Sequence, residues 1–94
     1  MAMDSAEAWR KCFEQWPAEL ARHGVLVTSF NEQIPFASFS TSSELLLIER
    51  RAPDTVGARM VIVPYGSITG LKIVDILKPK AFSSLGFTAP SSNK

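Results

Sequence analysis

The sequence predicts a mainly β fold in which one N-terminal α-helix is followed by a five-stranded, strongly bent antiparallel barrel. Three observations lead there. Apolar residues recur at three- and four-residue steps only in the N-terminal part of the chain. After Gly24 the spacing changes to short, β-rich runs separated by turn residues. One run, Met60-Val-Ile-Val-Pro64, then meets the next, Ile68-Thr-Gly-Leu-Lys-Ile-Val74, across Tyr65-Gly66-Ser67, a corner too short for a loop. Short strands joined mostly by tight turns close into small bent sheets.

The helix is expected over residues 4–23. Asp4-Ser-Ala-Glu7 fits a capping box, in which Asp4 accepts an amide hydrogen from the first turn and Glu7 reaches back. Trp9, Cys12, Phe13, Trp16 and Leu20 form one apolar stripe, with Arg10, Lys11 and Glu14 off it. Pro17 lacks an amide hydrogen and its ring collides with the preceding turn, so the helix kinks or restarts there. Gly24 would then close it as a left-handed cap.

The barrel is expected over residues 25–77. Val25–Phe30 and Ile34–Phe39 read as a hairpin joined at Asn31-Glu-Gln33. Pro35 belongs at a strand start, an edge or a bulge, because proline cannot donate to a ladder. Ser40–Ser43 is a polar turn. Glu44–Arg50 is a third strand, whose four consecutive apolar residues predict burial on both faces. Arg51–Arg59, with Pro53, Asp54 and Gly57, is a loop. Met60 opens the fourth strand, which turns at Tyr65-Gly66 so that the fifth can close against the first, Gly66 supplying unusual dihedrals. Residues 78–94, rich in Ser and Pro, read as a tail that docks through Phe82 and Phe87 and is mobile from Pro90.

Ninety-four residues make one domain with a limited core. Ten Lys and Arg stand against nine Asp and Glu, a net charge of +1, so no global field attracts a polyanion. Any such site has to be local. The single cysteine, Cys12, excludes an internal disulfide, and the opening Met-Ala-Met-Asp lacks the basic and apolar regions of a signal peptide, which together predict a cytoplasmic chain. No apolar run approaches the roughly 20 residues of a membrane-spanning helix. The pattern offers neither the Cys/His cluster of a metal site nor a glycine-rich nucleotide loop, and no cofactor is expected. Cys12 and His23, the only nucleophile and base in the predicted helix, would be separated by about 16 Å of helical rise. The sequence therefore does not read as an enzyme.

The order of elements, from Asp4 to Ile76, resembles the Sm-like family, including its bacterial host-factor branch. Gly24–Asn31, Ile34–Phe39 and Leu45–Ile48 are similar to that family's first motif, and Val61-Ile-Val-Pro-Tyr-Gly-Ser-Ile68 to its second. The resemblance implies an SH3-like barrel closed into a homo-oligomeric ring of roughly five to seven subunits, the fourth strand of one pairing with the fifth of the next. It also implies single-stranded RNA as partner, held by the residues at the two motif turns. Those positions are Ser42, Ser43 and Glu44 in one turn and Tyr65 and Gly66 in the other. Where the family has Arg-Gly or Lys-His, Tyr65-Gly66 offers an aromatic ring without a cation. Arg50 and Arg51 are candidates for phosphate contacts at the rim.

Two readings of Tyr65 stand side by side: a ring on which a base stacks, worth about 1–3 kcal/mol per base, or a corner tyrosine packed on a neighbouring subunit. With them go two functions. The chain is an RNA-binding ring with weakened ligand motifs, or a structural or protein-interaction ring without RNA affinity. A PH-like domain ranks third, since that fold ends in a helix and this sequence begins with one.

Overall fold

The computed structural model describes residues 4–88. Its elements are α1 (Ser5–Glu14), β1 (Gly24–Thr28), β2 (Gln33–Thr41), β3 (Leu45–Arg50), β4 (Met60–Pro64) and β5 (Ile68–Lys72), with short 3-10 helices at Tyr65–Ser67 and Pro79–Leu85. Asp4 caps α1 as expected, its carboxylate accepting the Glu7 amide hydrogen at 2.9 Å. Glu7 turns toward Arg10 at 3.8 Å. The helix is shorter than the predicted 4–23 and does not restart after Pro17. Its cap is Gln15, whose amide still donates to the Lys11 carbonyl at 2.9 Å. The residue before a proline is driven out of the helical region, and the proline ring would strike the Phe13 carbonyl. The chain instead makes a turn in which the Leu20 amide donates to the Pro17 carbonyl, and the Trp16 indole donates to the Leu20 carbonyl at 3.0 Å.

Gly24 is the first residue of β1 and does not cap a helix. Its role is close approach: a Cβ there would lie 2.8 Å from the Lys72 carbonyl oxygen of the neighbouring strand. Gly66 also departs from expectation. Its φ is not positive, and a Cβ would come no nearer than 3.9 Å to the Ala6 methyl.

The five strands form one antiparallel sheet in the order β4-β3-β2-β1-β5. The predicted hairpin β1–β2 is present, its turn passing through Asn31 at φ 63°. The fifth strand does pair with the first, Leu26 opposite Leu71. The sheet is not closed into a barrel, because β4 and β5 remain at its two edges. Pro35 lies inside a central strand, where its place is permitted locally. Its carbonyl accepts from the Arg51 amide, beyond the last β2–β3 pair at Phe36 and Arg50, so its missing donor faces the end of β3 and the ladder to β1 loses nothing.

The sheet is strongly bent, and the connection β4-to-β5 requires it. In a flat sheet of five strands the two edges would stand about 19 Å apart, whereas the three residues of the corner bridge at most about 14 Å. The core fills the concave side: Leu26, Ile34, Phe36, Phe39, Leu46, Ile48 and Val63 from the strands, and Phe13 from the helix. Phe13 stacks on Trp16 with ring centroids 5.4 Å apart and meets Phe39 edge-on at 4.9 Å. β3 is buried on one face only. Leu46 and Ile48 are inside, while Leu45 is exposed and Leu47 half-buried, so the apolar run does not mark a strand covered on both sides.

After β5 the chain is not a featureless tail. Pro79–Leu85 forms a 3-10 helix, and the Ser84 hydroxyl donates to the Gln15 carbonyl at 3.2 Å. Phe82 is half-buried, but Phe87 is largely exposed. The mobility expected from Pro90 falls outside the described residues. Replacing Gly24 by Ala forces β1 and β5 apart and is expected to cost about 1–3 kcal/mol, whereas Gly66→Ala should fall within about 0.5 kcal/mol of the parent. Urea-unfolding midpoints of the two variants check both values.

Candidate functional site

The structure brings together most of the residues singled out at the two motif turns. Ser43, Glu44, Tyr65 and Gly66 line one hollow of about 440 Å³, completed by Asp4, Ala6, Glu7 and Arg10 of the helix start and by Pro64. Ser42 stands beside it. Its hydroxyl donates to the Leu45 carbonyl and accepts the Leu45 amide hydrogen, tying the β2–β3 turn on itself. Its own carbonyl accepts the Tyr65 hydroxyl at 3.1 Å.

Tyr65 does not present its ring. It is 2% exposed and belongs to the core, so neither face is open to a stacking base. The corner holds it at three points: the ring packs inside, the hydroxyl reaches Ser42, and the amide donates to the Glu44 carbonyl at 3.4 Å, extending the β3–β4 ladder by one step. Burial raises its pKa above that of an ordinary tyrosine, which keeps the donor proton on the phenol. The sequence left two places for this ring, on a base or on a neighbouring subunit. A third occupies it, the interior of its own sheet.

The electrostatics of the hollow are unfavourable to phosphate. Asp4, Glu7 and Glu44 contribute negative charge, and the one cation, Arg10, lies 3.8 Å from Glu7 and 3.7 Å from Glu14. Arg50 and Arg51 are not part of this site. They sit at the other end of β3, about 17 Å away along a strand of six residues. Arg50 is also engaged, its Nε donating to the Ala52 carbonyl at 3.0 Å and its guanidinium lying 3.7 Å from Glu32. Arg51 remains exposed.

Cys12 and His23 do not share a helix. His23 lies just before β1 and meets Asp75 at 2.9 Å, joining the start of the sheet to the segment after β5. Cys12 is half-buried on α1, and burial raises its thiol pKa from 9.0 to about 11. Among the described residues, no group of three or more His, Cys, Asp and Glu side chains is placed to hold a metal ion. No helix among them is long and apolar enough to cross a membrane.

The fourth strand, which the sequence reading set against the fifth of a neighbouring subunit, lies at the edge of the sheet. The Arg50 amide bonds to the Arg59 carbonyl and the Tyr65 amide to the Glu44 carbonyl. Antiparallel alternation between these two bonds turns Val61 and Val63 toward β3 and leaves the N–H and C=O of Met60 and Ile62 facing outward. Their side chains share the outer face with Leu45, Leu47 and Glu49, the last directly opposite Met60, and Met60 is 54% and Ile62 62% exposed. The strand is open and apolar beside its open hydrogen-bonding groups. The signal was in the sequence: Leu45, Leu47, Met60 and Ile62 alternate with the core residues of the same strands.

The geometry defines a mainly β protein, one N-terminal helix on the concave side of an open five-stranded antiparallel sheet. No family model, curated protein or solved structure matches the chain.

Tyr65→Phe removes one hydrogen bond and is expected to cost about 1 kcal/mol, against about 3–5 kcal/mol for Tyr65→Ala, which empties part of the core. Equilibrium unfolding in urea measures both. Cys12 gives a pH prediction. Because its folded pKa is raised, its contribution is fully present below pH 9.0 and is lost as pH rises toward about 11, since the unfolded thiol ionises first. The thermal midpoint should therefore fall less steeply across that window in Cys12→Ala than in the parent.

Proposed function

We propose that the chain is a homo-oligomeric protein-interaction module whose copies join edge to edge, β4 of one against β5 of the next. The observation that carries this reading is the β4 edge, with the outward N–H and C=O groups of Met60 and Ile62 beside exposed apolar side chains. Edges that remain solitary are blunted by charged side chains, inward-pointing charges or cover from another element. Among the described residues, β4 carries no charged side chain, and its one blunting device is a proline, Pro64, at the last position of the strand. The opposite edge, β5, is joined to β4 through the three-residue corner, so each copy carries both halves of a repeating contact. A head-to-tail contact of this kind closes into a ring when its rotation allows. The Sm-like resemblance implies such a ring, of roughly five to seven subunits.

Of the two functions implied by that resemblance, protein interaction is the better supported. RNA affinity rests on cations set against phosphates. The hollow that collects Ser43, Glu44, Tyr65 and Gly66 has an excess of carboxylates, and its tyrosine is committed to the core. The outer face of β3 and β4 exposes Leu45, Met60 and Ile62 around one carboxylate, Glu49, and its apolar share is the surface chemistry that pairs with another polypeptide.

Mass in solution tests the reading. Light scattering of the full chain should give a multiple of the 10.3 kDa protomer. Ile62→Lys, a charge on the open edge, should reduce it to the protomer mass with the circular dichroism spectrum retained. Added uridine-rich or adenine-rich oligonucleotide should leave the assembly mass unchanged. A monomeric parent protein overturns the proposal, and a salt-sensitive gain of RNA mass replaces it with the RNA-binding alternative.

A further inference from the structure

Trp9 and Cys12 of α1, and Trp16 just past its end, have a second side that the core does not use. Between the helix and the segment following β5 lies a hollow of about 480 Å³ whose wall includes Trp9, Cys12, Trp16, Leu71, Phe82 and Leu85. Among the described residues, no charged side chain lines it, and Thr88 is the only one on the wall with a hydroxyl. A second hollow of about 310 Å³ continues from it, sharing Trp9, Cys12, Leu85 and Phe87 and adding Lys11 and Gln15. The two adjoin along the helix, the first without a charged lining residue and the second bordered by a single cation, Lys11. Lys11 forms no ion pair among the described residues. Each volume falls in the range of about 300–1,000 Å³ typical of small-molecule sites.

We propose that this groove binds a free long-chain fatty acid, its alkyl chain against Trp9, Trp16, Leu71, Phe82 and Leu85 and its carboxylate at Lys11. The charge pattern selects the class. An apolar wall without a charged group accepts a hydrocarbon chain and rejects any ligand carrying charge along its length, because a charge moved there would lose its hydration without a partner. The one ammonium, on the border of the second hollow, then favours a single anionic group, with the Gln15 amide on the same border as a further hydrogen-bond donor. The wall is assembled from parts that can adjust to a chain. The Pro79–Leu85 helix has no fully buried residue and is tied to the end of α1 through the Ser84 hydroxyl and the Gln15 carbonyl.

Both tryptophans of the sequence lie on this wall, so intrinsic fluorescence reports occupancy directly. The full chain is titrated with oleate below its micelle concentration, and in parallel with oleyl alcohol. The expected result is a saturable change in tryptophan emission at one oleate per chain by calorimetry, with the alcohol weaker by about two- to fivefold. Lys11→Glu, a change at an exposed position, should weaken oleate by at least as much and leave the alcohol unaffected. Leu85→Asp, which places a charge on the apolar wall, should weaken both ligands. Running the same titration on Ile62→Lys separates this site from the sheet edge, and its oleate affinity should equal that of the parent. The proposal is overturned by an emission that does not saturate, by Lys11→Glu binding oleate as tightly as the parent, or by a response only to phospholipid vesicles. An emission that changes with protein concentration alone overturns it too, because a second copy of the chain then fills the groove.

Discussion

Three residues hold the two edges of the sheet within reach of each other. β4 and β5 are its outermost strands, and Tyr65-Gly66-Ser67 is all that joins them. The corner is fastened on both sides: the Tyr65 amide bonds to Glu44 at the end of β3, and the Ser67 carbonyl accepts the Ser29 amide just past β1 at 2.7 Å. A chain fixed at these points has to curl, and the curl produces the concave side into which Leu26, Ile48 and Val63 point. The tyrosine ring fills the space beneath its own corner. Its hydroxyl would be a buried orphan there without the Ser42 carbonyl, and the cost of such a group is what fixes the β2–β3 turn to the corner.

The helix completes what the curl begins. A bent sheet of five short strands leaves its concave side open, and α1 closes it with Phe13, packed against Phe39 and Trp16, and with Ala6 and Trp9 beside it. Arg22 adds to the same cluster from the connecting segment, its guanidinium 4.5 Å from the Phe39 ring centre and its NH1 donating to the Phe39 carbonyl at 3.2 Å. Pro17 has a double consequence. By stopping the helix at Glu14 it frees the following residues to turn back toward β1, and it turns the Trp16 indole onto the Leu20 carbonyl in place of a longer helical stripe. One face of α1 is thereby spent on the core, and its flank is left for the segment after β5.

Local chemistry was legible in the sequence wherever a short-range rule governed it. Asp4 and Glu7 gave the helix start, the strand positions followed from β-rich runs between polar turns, and pairing of β5 with β1 followed from the shortness of the corner. The errors share one cause, which is that tertiary neighbours decided. Gly24 looked like a helix cap because it follows His23, but its small size answers to the Lys72 carbonyl, forty-eight residues downstream. Gly66 looked conformational and is not. Tyr65 looked like a ligand residue because of its place in a motif, and no property of Pro-Tyr-Gly reveals that the Ser42 carbonyl waits for its hydroxyl. The four apolar residues Leu45–Ile48 read as doubly covered because their outer partners could not be seen to be absent.

The same asymmetry bears on what the surface can do. A chain with ten cations and nine anions has little field to offer, and the described cations are largely dispersed or engaged: Arg10 with Glu7 and Glu14, Arg50 with Glu32, Arg22 on Phe39. What it offers in quantity is apolar surface in two places of different shape. On β3 and β4 it is the open outer face of the sheet, next to backbone groups of Met60 and Ile62 that point outward, which suits another strand. Along α1 it is a groove walled on both sides, which suits a chain of carbons. Open and concave apolar surfaces select different partners because a strand needs hydrogen bonds from the edge it meets, whereas an alkyl chain has none to give and is stabilised only by enclosure. The division follows from the fold: the sheet has no strand left to cover β4, and α1 has already given Phe13 to the core.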